Sequence, residues 1–96
     1  MERGEYLERL QEAIEKTHGL KSTHIERVYV KETFQGLTVW EGEVEIFSIA
    51  HPGASQCYAW GFEEGGKLQC VAVLGVKPIN SPQDAIKAYI LSQKKR

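Results

Sequence analysis

The sequence has few of the features that mark secreted or membrane proteins. Its 96 residues include only two cysteines, Cys57 and Cys70, which are too few for a disulfide scaffold. The N-terminal stretch MERGEYLERL is charged throughout and lacks the apolar core of a signal peptide. No apolar run approaches the roughly 20 residues that are needed to span a bilayer. We therefore expect a soluble protein of the reducing cytoplasm that has no membrane association.

An excess of charge of one sign is also absent. Twelve lysines and arginines stand against thirteen acidic residues, which gives a net charge of −1. Such a balance creates no overall field that would attract nucleic acid or an acidic membrane. No internal repeat, low-complexity tract or linker divides the chain, and 96 residues suit a single hydrophobic core. The sequence predicts one domain over residues 1–96.

Apolar spacing predicts a helix near each end of the chain. Residues 5–18 place apolar side chains at helical intervals with charges between them, and Gly19 follows as a C-terminal cap. The stretch Ser81-Pro82-Gln83-Asp84 is typical of a helix start, with serine at the N-cap and an acid two residues after the proline. We expect the second helix to continue over residues 84–93.

Two β-hairpins are predicted between the helices. The predicted strands cover residues 23–34, 37–50, 56–62 and 67–76. Gly36 suits the left-handed end of a three-residue loop in the first hairpin, and Gly65-Gly66 lies at the tip of the second. The order α-β-β-β-β-α with antiparallel meander connections predicts an α+β fold. Its simplest form is a two-layer sandwich that carries both helices on one face of the sheet.

Charges predict the register of the first hairpin. With a three-residue loop, one face carries Val28, Val30, Trp40, Val44 and Ile46. The other face then carries Arg27, Tyr29 and Lys31 beside Glu41, Glu43 and Glu45. A strict two-residue turn would instead set two valines opposite glutamates, so the opposite charges favour the first register. The charged face is expected to be exposed to solvent.

The second hairpin has no charged face, and this contrast predicts a binding surface. Its aromatic face carries Tyr58, Trp60 and Phe62 beside Val71 and Val73. Its small-residue face carries Cys57, Ala59 and Gly61 beside Cys70 and Ala72. Either face can meet the helices, and the other then needs a cover. Because monomers seldom expose a large apolar patch, the outer face is predicted to self-associate or to bind a partner.

The leading hypothesis is a non-catalytic interaction module, either a homodimer through this face or bound to an unknown protein partner. The predicted binding residues are Tyr58, Trp60, Phe62, Val71, Val73 and His51. No catalytic residue and no cofactor is predicted. No metal site is predicted either, because the histidines and cysteines lack ligand spacings such as C-x-x-C or H-x-x-x-H.

An alternative is a nucleic-acid-associated domain. Helices on either side of a run of strands resemble the element order of double-stranded RNA-binding domains, which implies contact with nucleic acid. Basic residues for such contact lie in the last helix and the tail, at Lys87, Lys94, Lys95 and Arg96. The helix departs from that family at its start, where Asp84 stands close to the position at which phosphate would dock. This hypothesis therefore ranks second.

A small enzyme using His51 ranks third. Cys57 follows His51 by six residues, and the intervening turn would bring the two side chains together. A nucleophilic cysteine needs a partner base and a lowered pKa. No further residue in the sequence completes a catalytic triad, so His51 remains a candidate without an assigned reaction.

Overall fold

The computed structural model describes residues 2–94 and has the element order that the sequence predicts. The elements are α1 (Arg3–His18), β1 (Ser22–Phe34), β2 (Leu37–His51), β3 (Ala54–Glu64), β4 (Lys67–Leu74) and α2 (Pro82–Lys94). The four strands form one open antiparallel sheet in the order β1-β2-β3-β4, and both helices pack against it. The α+β class and the antiparallel meander are therefore confirmed.

The caps confirm the predicted end of α1 and the predicted start of α2. Gly19 ends α1 in the left-handed conformation, with φ at 69°, and its N–H donates to the Glu15 carbonyl at 2.8 Å. At the start of α2, the Asp84 N–H donates to Ser81 Oγ at 3.1 Å. The Asp84 carboxylate in turn accepts from the Asn80 N–H at 3.3 Å, so the serine and the acid cap the helix together.

The turn of the first hairpin differs from the three-residue loop predicted above. Phe34 pairs directly with Leu37, so that only Gln35 and Gly36 connect the strands. Both connecting residues have positive φ, at 53° and 79°. Two consecutive left-handed residues form the turn that best matches the twist of a hairpin. Glutamine seldom adopts this conformation, which is why the sequence did not indicate the shorter turn.

A β-bulge nevertheless preserves the two faces that the charges select. Val39 is the extra residue of β2, because its neighbours Thr38 and Trp40 pair with consecutive residues of β1. This insertion shifts the pairing by one position and sets Arg27 opposite Glu45, so the valines and the charges stay on the faces that the sequence predicted. The valine face and the charged face of the first hairpin are therefore confirmed.

The sandwich has its helices on opposite faces of the sheet, which corrects the placement of both on one face. Helix α1 buries Leu10 and Ile14 on the small-residue face, against Phe47, Cys57 and Ala59. Helix α2 buries Ala85 and Ile86 on the aromatic face, against Val30, Val44, Ile46, Tyr58 and Trp60. The architecture therefore has three layers rather than two. The second hairpin is apolar on both sides, and each helix covers one of them.

This arrangement removes the apolar surface on which the dimer hypothesis depended. Tyr58 and Trp60 are 2% exposed beneath α2, and Cys57 and Ala59 are fully buried beneath α1. The sequence left open whether the aromatic face or the small-residue face meets a helix, and in the structure each face meets one helix. Within residues 56–62, only Phe62 keeps more than a third of its surface in solvent among the aromatic residues.

The described chain is compact. Its radius of gyration is 13.2 Å, close to the value of about 13 Å that is typical of 100 folded residues. Neither of its two helices combines the length and the apolar character needed to cross a membrane.

Candidate functional site

The two hairpins separate at one end of the sheet. In the described chain, β2 and β3 pair only as far as Glu45 and Ala59. Beyond these residues β2 continues beside β1 alone, and β3 continues beside β4 alone. The sheet therefore divides into a fork, which we define as the space between residues 41–43 of β2 and residues 60–62 of β3.

Helix α1 holds the fork open through Tyr6. The Gly61 N–H donates to the Tyr6 hydroxyl at 2.8 Å, so this amide of β3 is not left for pairing with β2. A side chain at Gly61 would come within 3.0 Å of the Tyr6 ring, so only glycine allows this approach. Burial raises the pKa of the Tyr6 phenol, and the hydrogen bond from Gly61 offsets part of that rise.

On the side of α1 the fork opens into a cleft of about 730 Å³, which we call the polar cleft. Its lining consists of Arg3, Tyr6, Arg27, Tyr29, Glu41, Gly42, Glu43, Glu45 and Gly61. The Tyr29 hydroxyl donates to the Glu41 carboxylate at the exposed rim. The charged face of the first hairpin thus forms one wall of this cleft, and α1 with β3 forms the other.

A buried ion cluster lies at the base of the polar cleft. Glu45 was expected on a wet face but is fully buried. Arg27 Nε donates to one carboxylate oxygen at 2.5 Å, and His24 Nε2 lies 2.8 Å from the other. The hydrogen bond to Glu45 raises the pKa of the Arg27 guanidinium. Both oxygens of Glu45 are engaged, so this carboxylate anchors the strands and is not an unpaired base.

A second β-bulge brings His24 into this cluster. His24 pairs with Phe47 and Glu26 pairs with Ile46, so Ile25 is an extra residue in β1. Strict alternation would place His24 on the valine face, and the bulge turns it to the face of Glu45. The His24 ring also contacts Phe47 edge to face, with centroids 5.3 Å apart. No pattern in the sequence indicates this bulge, and the predicted strand over residues 23–34 contains no irregularity at His24.

On the side of α2 the fork opens into a smaller depression of about 250 Å³, which we call the aromatic notch. It is lined by Trp40, Trp60, Phe62 and Tyr89, with Glu41, Gly42, Glu43 and Gly61. The Trp60 ring meets Trp40 and Tyr89 edge to face, at centroid distances of 5.8 and 5.3 Å. No lysine, arginine or histidine of the described chain lines this notch.

Trp60 brings an unsatisfied hydrogen-bond donor to the notch. The residue is 2% exposed, and its Nε1 has no hydrogen-bond partner between residues 2 and 94. A buried donor without an acceptor costs about 1–3 kcal/mol in stability. Most buried polar groups in proteins are paired, so an acceptor from a ligand would satisfy Trp60 Nε1.

The polar cleft and the aromatic notch are two openings of one gap. Glu41, Gly42 and Glu43 on β2 and Gly61 on β3 line both of them. Two of these residues are glycines, and an aromatic ring packs over each of them, Trp40 over Gly42 and Tyr6 over Gly61. The fork therefore passes through the sheet from the face of α1 to the face of α2.

The predicted binding residues divide between the core and the notch. Trp60 and Phe62 line the notch, and their binding role stays a prediction. Tyr58 is buried, and Val71 and Val73 are partly buried against the same core cluster. These three side chains pack in or against the core cluster that α2 covers.

His51 lies at the other end of the β2–β3 pairing from the fork. Its Nδ1 accepts the Gly53 N–H at 2.9 Å within the turn, so the ring stabilises the turn. Burial raises the pKa of the Cys57 thiol to about 12, which leaves almost no thiolate at neutral pH. The enzyme hypothesis therefore finds no activated nucleophile here. No group of three or more potential metal ligands occurs within the described part of the chain.

The basic residues of the nucleic-acid hypothesis are only partly visible. Lys87 is exposed on α2. The Lys94 side chain, Lys95 and Arg96 lie outside the described residues. The acid at the start of α2 caps the helix through Asn80 and Ser81, so the N-terminus of this helix is already occupied.

Sequence reasoning missed the fork, although the sequence contains a signal of it. Each of the two strands that border the fork carries a tryptophan followed closely by a glycine, at Trp40-Glu41-Gly42 and at Trp60-Gly61. A glycine inside a strand often marks close approach of another group. Here Trp40 packs over Gly42, where a side chain would come within 3.2 Å of the ring.

Comparisons with known proteins add no function to this geometry. No family model, no curated protein and no solved structure matches the chain. The fork and its two openings therefore carry the functional argument.

Proposed function

We propose that this protein is a non-catalytic binding module that takes a cationic group into the aromatic notch. The observation that carries the proposal is the lining of the notch, which has four aromatic residues, two glutamates and no basic residue of the described chain. Aromatic ring faces attract cations by about 0.5–2 kcal/mol each, more as water is excluded. Glu41 and Glu43 border the same gap in the sheet, and their negative charges favour a cation there over an anion.

The chemistry of the surrounding groups favours binding over catalysis. Glu45 is held by Arg27 and His24, and His51 is engaged in its turn. The thiol of Cys57 is buried and protonated at neutral pH. None of these groups meets another in the arrangement of nucleophile and base that covalent catalysis requires.

The scaffold around the notch is organised before any ligand arrives. Tyr6 keeps β3 away from β2, and the Arg27–Glu45 pair ties β1 to β2 beneath the cleft. A preformed site avoids the cost of ordering its side chains when the ligand binds. The fork is therefore suited to hold one ligand in a defined orientation.

Intrinsic fluorescence provides a direct test. The chain has two tryptophans, and both line the notch. Titration with N-acetyl-lysine methylamide is expected to change the emission saturably, with a Kd of about 1 mM, which corresponds to about −4 kcal/mol. The uncharged isostere N-acetyl-norleucine methylamide is expected to bind at least several-fold more weakly. Absence of a saturable change with the lysine derivative, or equal binding of both compounds, would overturn the proposal.

A matched pair of variants locates the site. Phe62→Leu removes one ring from the notch, and Phe34→Leu makes the same change at the tip of the first hairpin. The first variant is expected to weaken binding of the lysine derivative, and the second to leave it unchanged. Equal effects of the two variants would place the ligand outside the notch.

Self-association is a second candidate function, at a different surface from the one predicted. Three apolar side chains lie exposed at the tip of the first hairpin, and Leu37 alone is 71% exposed, beside Phe34 and Val39. Light scattering at high micromolar concentration is expected to show a dimer for the native chain and a monomer for Leu37→Glu. A native monomer would exclude this candidate. The cytoplasmic location stays a prediction.

A further inference from the structure

The wall of the fork on β2 is an unpaired strand edge. Residues 41–43 pair with Lys31, Val30 and Tyr29 of β1 on one side. On the other side, the described chain offers them no strand, because β3 has left the pairing at Ala59. An unpaired edge of this kind accepts an extended peptide, whose main-chain groups complete the hydrogen bonding.

A strand added at this edge would fill both openings of the fork. Successive side chains of a strand point to opposite faces. A residue level with Gly42 would enter the aromatic notch, because Gly42, Trp40 and Trp60 belong to that face of the sheet. Its two neighbours would point into the polar cleft, where Glu41 and Glu43 stand. One extended segment thus explains why the two openings meet at the same residues.

The unsatisfied Trp60 donor distinguishes a peptide from a simple amine. An ammonium group and its aliphatic stem contain no hydrogen-bond acceptor, so they leave Trp60 Nε1 unpaired. A peptide supplies carbonyl oxygens together with the cation. Lysine suits the notch because both its aliphatic stem and its ammonium group pack favourably on aromatic rings.

We infer that the ligand is a lysine-containing extended peptide that adds as a strand beside residues 41–43 of β2 and places the lysine side chain in the aromatic notch. The inference rests on the proposed function for its cationic group, and adds the main-chain pairing and the class of partner. The four aromatic residues of the notch, and the negative charges of Glu41 and Glu43 at the border of the fork, support this occupant over an acidic or neutral segment.

The first test compares a peptide with the capped single residue. The probe is the pentapeptide acetyl-TVKVT-amide, titrated against the full chain by tryptophan fluorescence. It is expected to bind at least about tenfold more tightly than N-acetyl-lysine methylamide, a gain of about 1.4 kcal/mol. If the capped lysine binds and the pentapeptide binds no more tightly, strand addition is overturned and the proposed function stands. If neither compound binds, both proposals are overturned.

N-methylation of the peptide tests the pairing on the unaltered protein. Alternate amides of an added strand point toward β2, so methylating successive amide nitrogens is expected to weaken binding at every second position. Equal tolerance at all positions would overturn strand addition. Replacing the lysine of the pentapeptide with norleucine is expected to weaken binding, and unchanged affinity would overturn the cationic part.

The role of the indole N–H has its own variant. Trp60→Phe keeps a ring at this position and removes the donor, while Trp40 still reports binding by fluorescence. It is expected to weaken the pentapeptide several-fold and to leave binding of pentylammonium, which has the ammonium group and an aliphatic stem but no carbonyl, nearly unchanged. The control Trp40→Phe removes no unpaired donor and is expected to affect both ligands alike. Equal losses of the two ligands in Trp60→Phe would overturn the assignment of this donor to a peptide carbonyl.

Discussion

The two hairpins of this sheet have the same antiparallel pairing and different surroundings. The first alternates valines with charges, and solvent covers much of its charged face. The second alternates aromatic with small residues, and a helix covers each of its faces. The difference shows that a strand without charges need not indicate a partner protein. In this chain, the two terminal helices supply the cover.

The boundary between the hairpins is where the functional features lie. The second hairpin is held between helices and places four consecutive residues, Cys57 to Trp60, in the core. The first extends beyond that core and pairs with nothing on its inner side past Glu45 in the described chain. A wet strand edge next to buried aromatic rings creates a site that neither hairpin has by itself.

The largest expected effect tests the burial of the second hairpin against the exposure of the first. Trp60→Ala removes an indole packed between Trp40 and Tyr89, and is expected to lower the free energy of unfolding by about 3–5 kcal/mol. Tyr29→Ala changes an aromatic residue that is 56% exposed, and is expected to cost less than about 1 kcal/mol. Urea denaturation measures both, and equal costs would contradict the comparison.

A second pair of variants separates the buried from the wet part of the charged face. Arg27→Met leaves the buried Glu45 carboxylate without its cation and is expected to cost about 3 kcal/mol. Lys31→Met makes the same change on the same face of β1, opposite Glu41, where the side chains are exposed. This control is expected to cost less than about 1 kcal/mol. A small loss for Arg27→Met in urea denaturation would show that the cluster contributes little.

The close approach of Tyr6 to Gly61 predicts intermediate effects. Gly61→Ala forces a methyl group against the Tyr6 ring and is expected to cost about 1–3 kcal/mol. Tyr6→Phe removes the acceptor of the Gly61 N–H and is expected to cost about 1 kcal/mol. Gly4→Ala is the control, since nothing lies within 4 Å of its added carbon, and it is expected to stabilise α1 slightly. A neutral Gly61→Ala, measured by thermal unfolding, would mean that Tyr6 does not hold the fork.

The smallest effect concerns the two thiols of the second hairpin. Burial raises the pKa of Cys57 to about 12 and raises that of Cys70 as well. At neutral pH a thiol reagent is expected to label Cys70 in the folded native chain and Cys57 only on unfolding. In the Cys70→Ala control, which keeps only the Cys57 thiol, labelling is expected only on unfolding. Rapid labelling of Cys57 in the folded chain would contradict its burial.

The same thiol predicts the direction of an alkaline effect. The unfolded chain releases the Cys57 proton near its ordinary pKa of 9.0, whereas the folded chain retains it to about 12. Cys57 therefore stabilises the fold below pH 9.0, and this contribution is lost as the pH rises from there to about 12. Urea denaturation across this pH range is expected to show a shallower loss for Cys57→Ala than for the native chain.

The sequence by itself determined the elements and most of their pairing. Apolar spacing and caps located α1 and α2, because Gly19 and Ser81 act on backbone groups close to them in the chain. The face that Arg27 shares with Glu45 followed from opposite charges, and the structure keeps this face despite a shorter turn. Trp60 and Phe62, which line the notch, were predicted as binding residues because residues 56–62 carry no charge, and that role stays a prediction. Each of these features depends on side chains near one another in sequence or in one hairpin.

Only the tertiary structure decided which helix covers which face and where the sheet divides. Both faces of the second hairpin are apolar, so its own pattern favours neither helix, and the choice depends on how the chain ends return to the sheet. The bulge at Ile25 turns His24 toward Glu45, and Tyr6 reaches Gly61 across 55 residues of sequence. Such contacts join distant segments through backbone geometry, which spacing along the chain does not encode. The fork exists because these long-range contacts stop β3 from following β2.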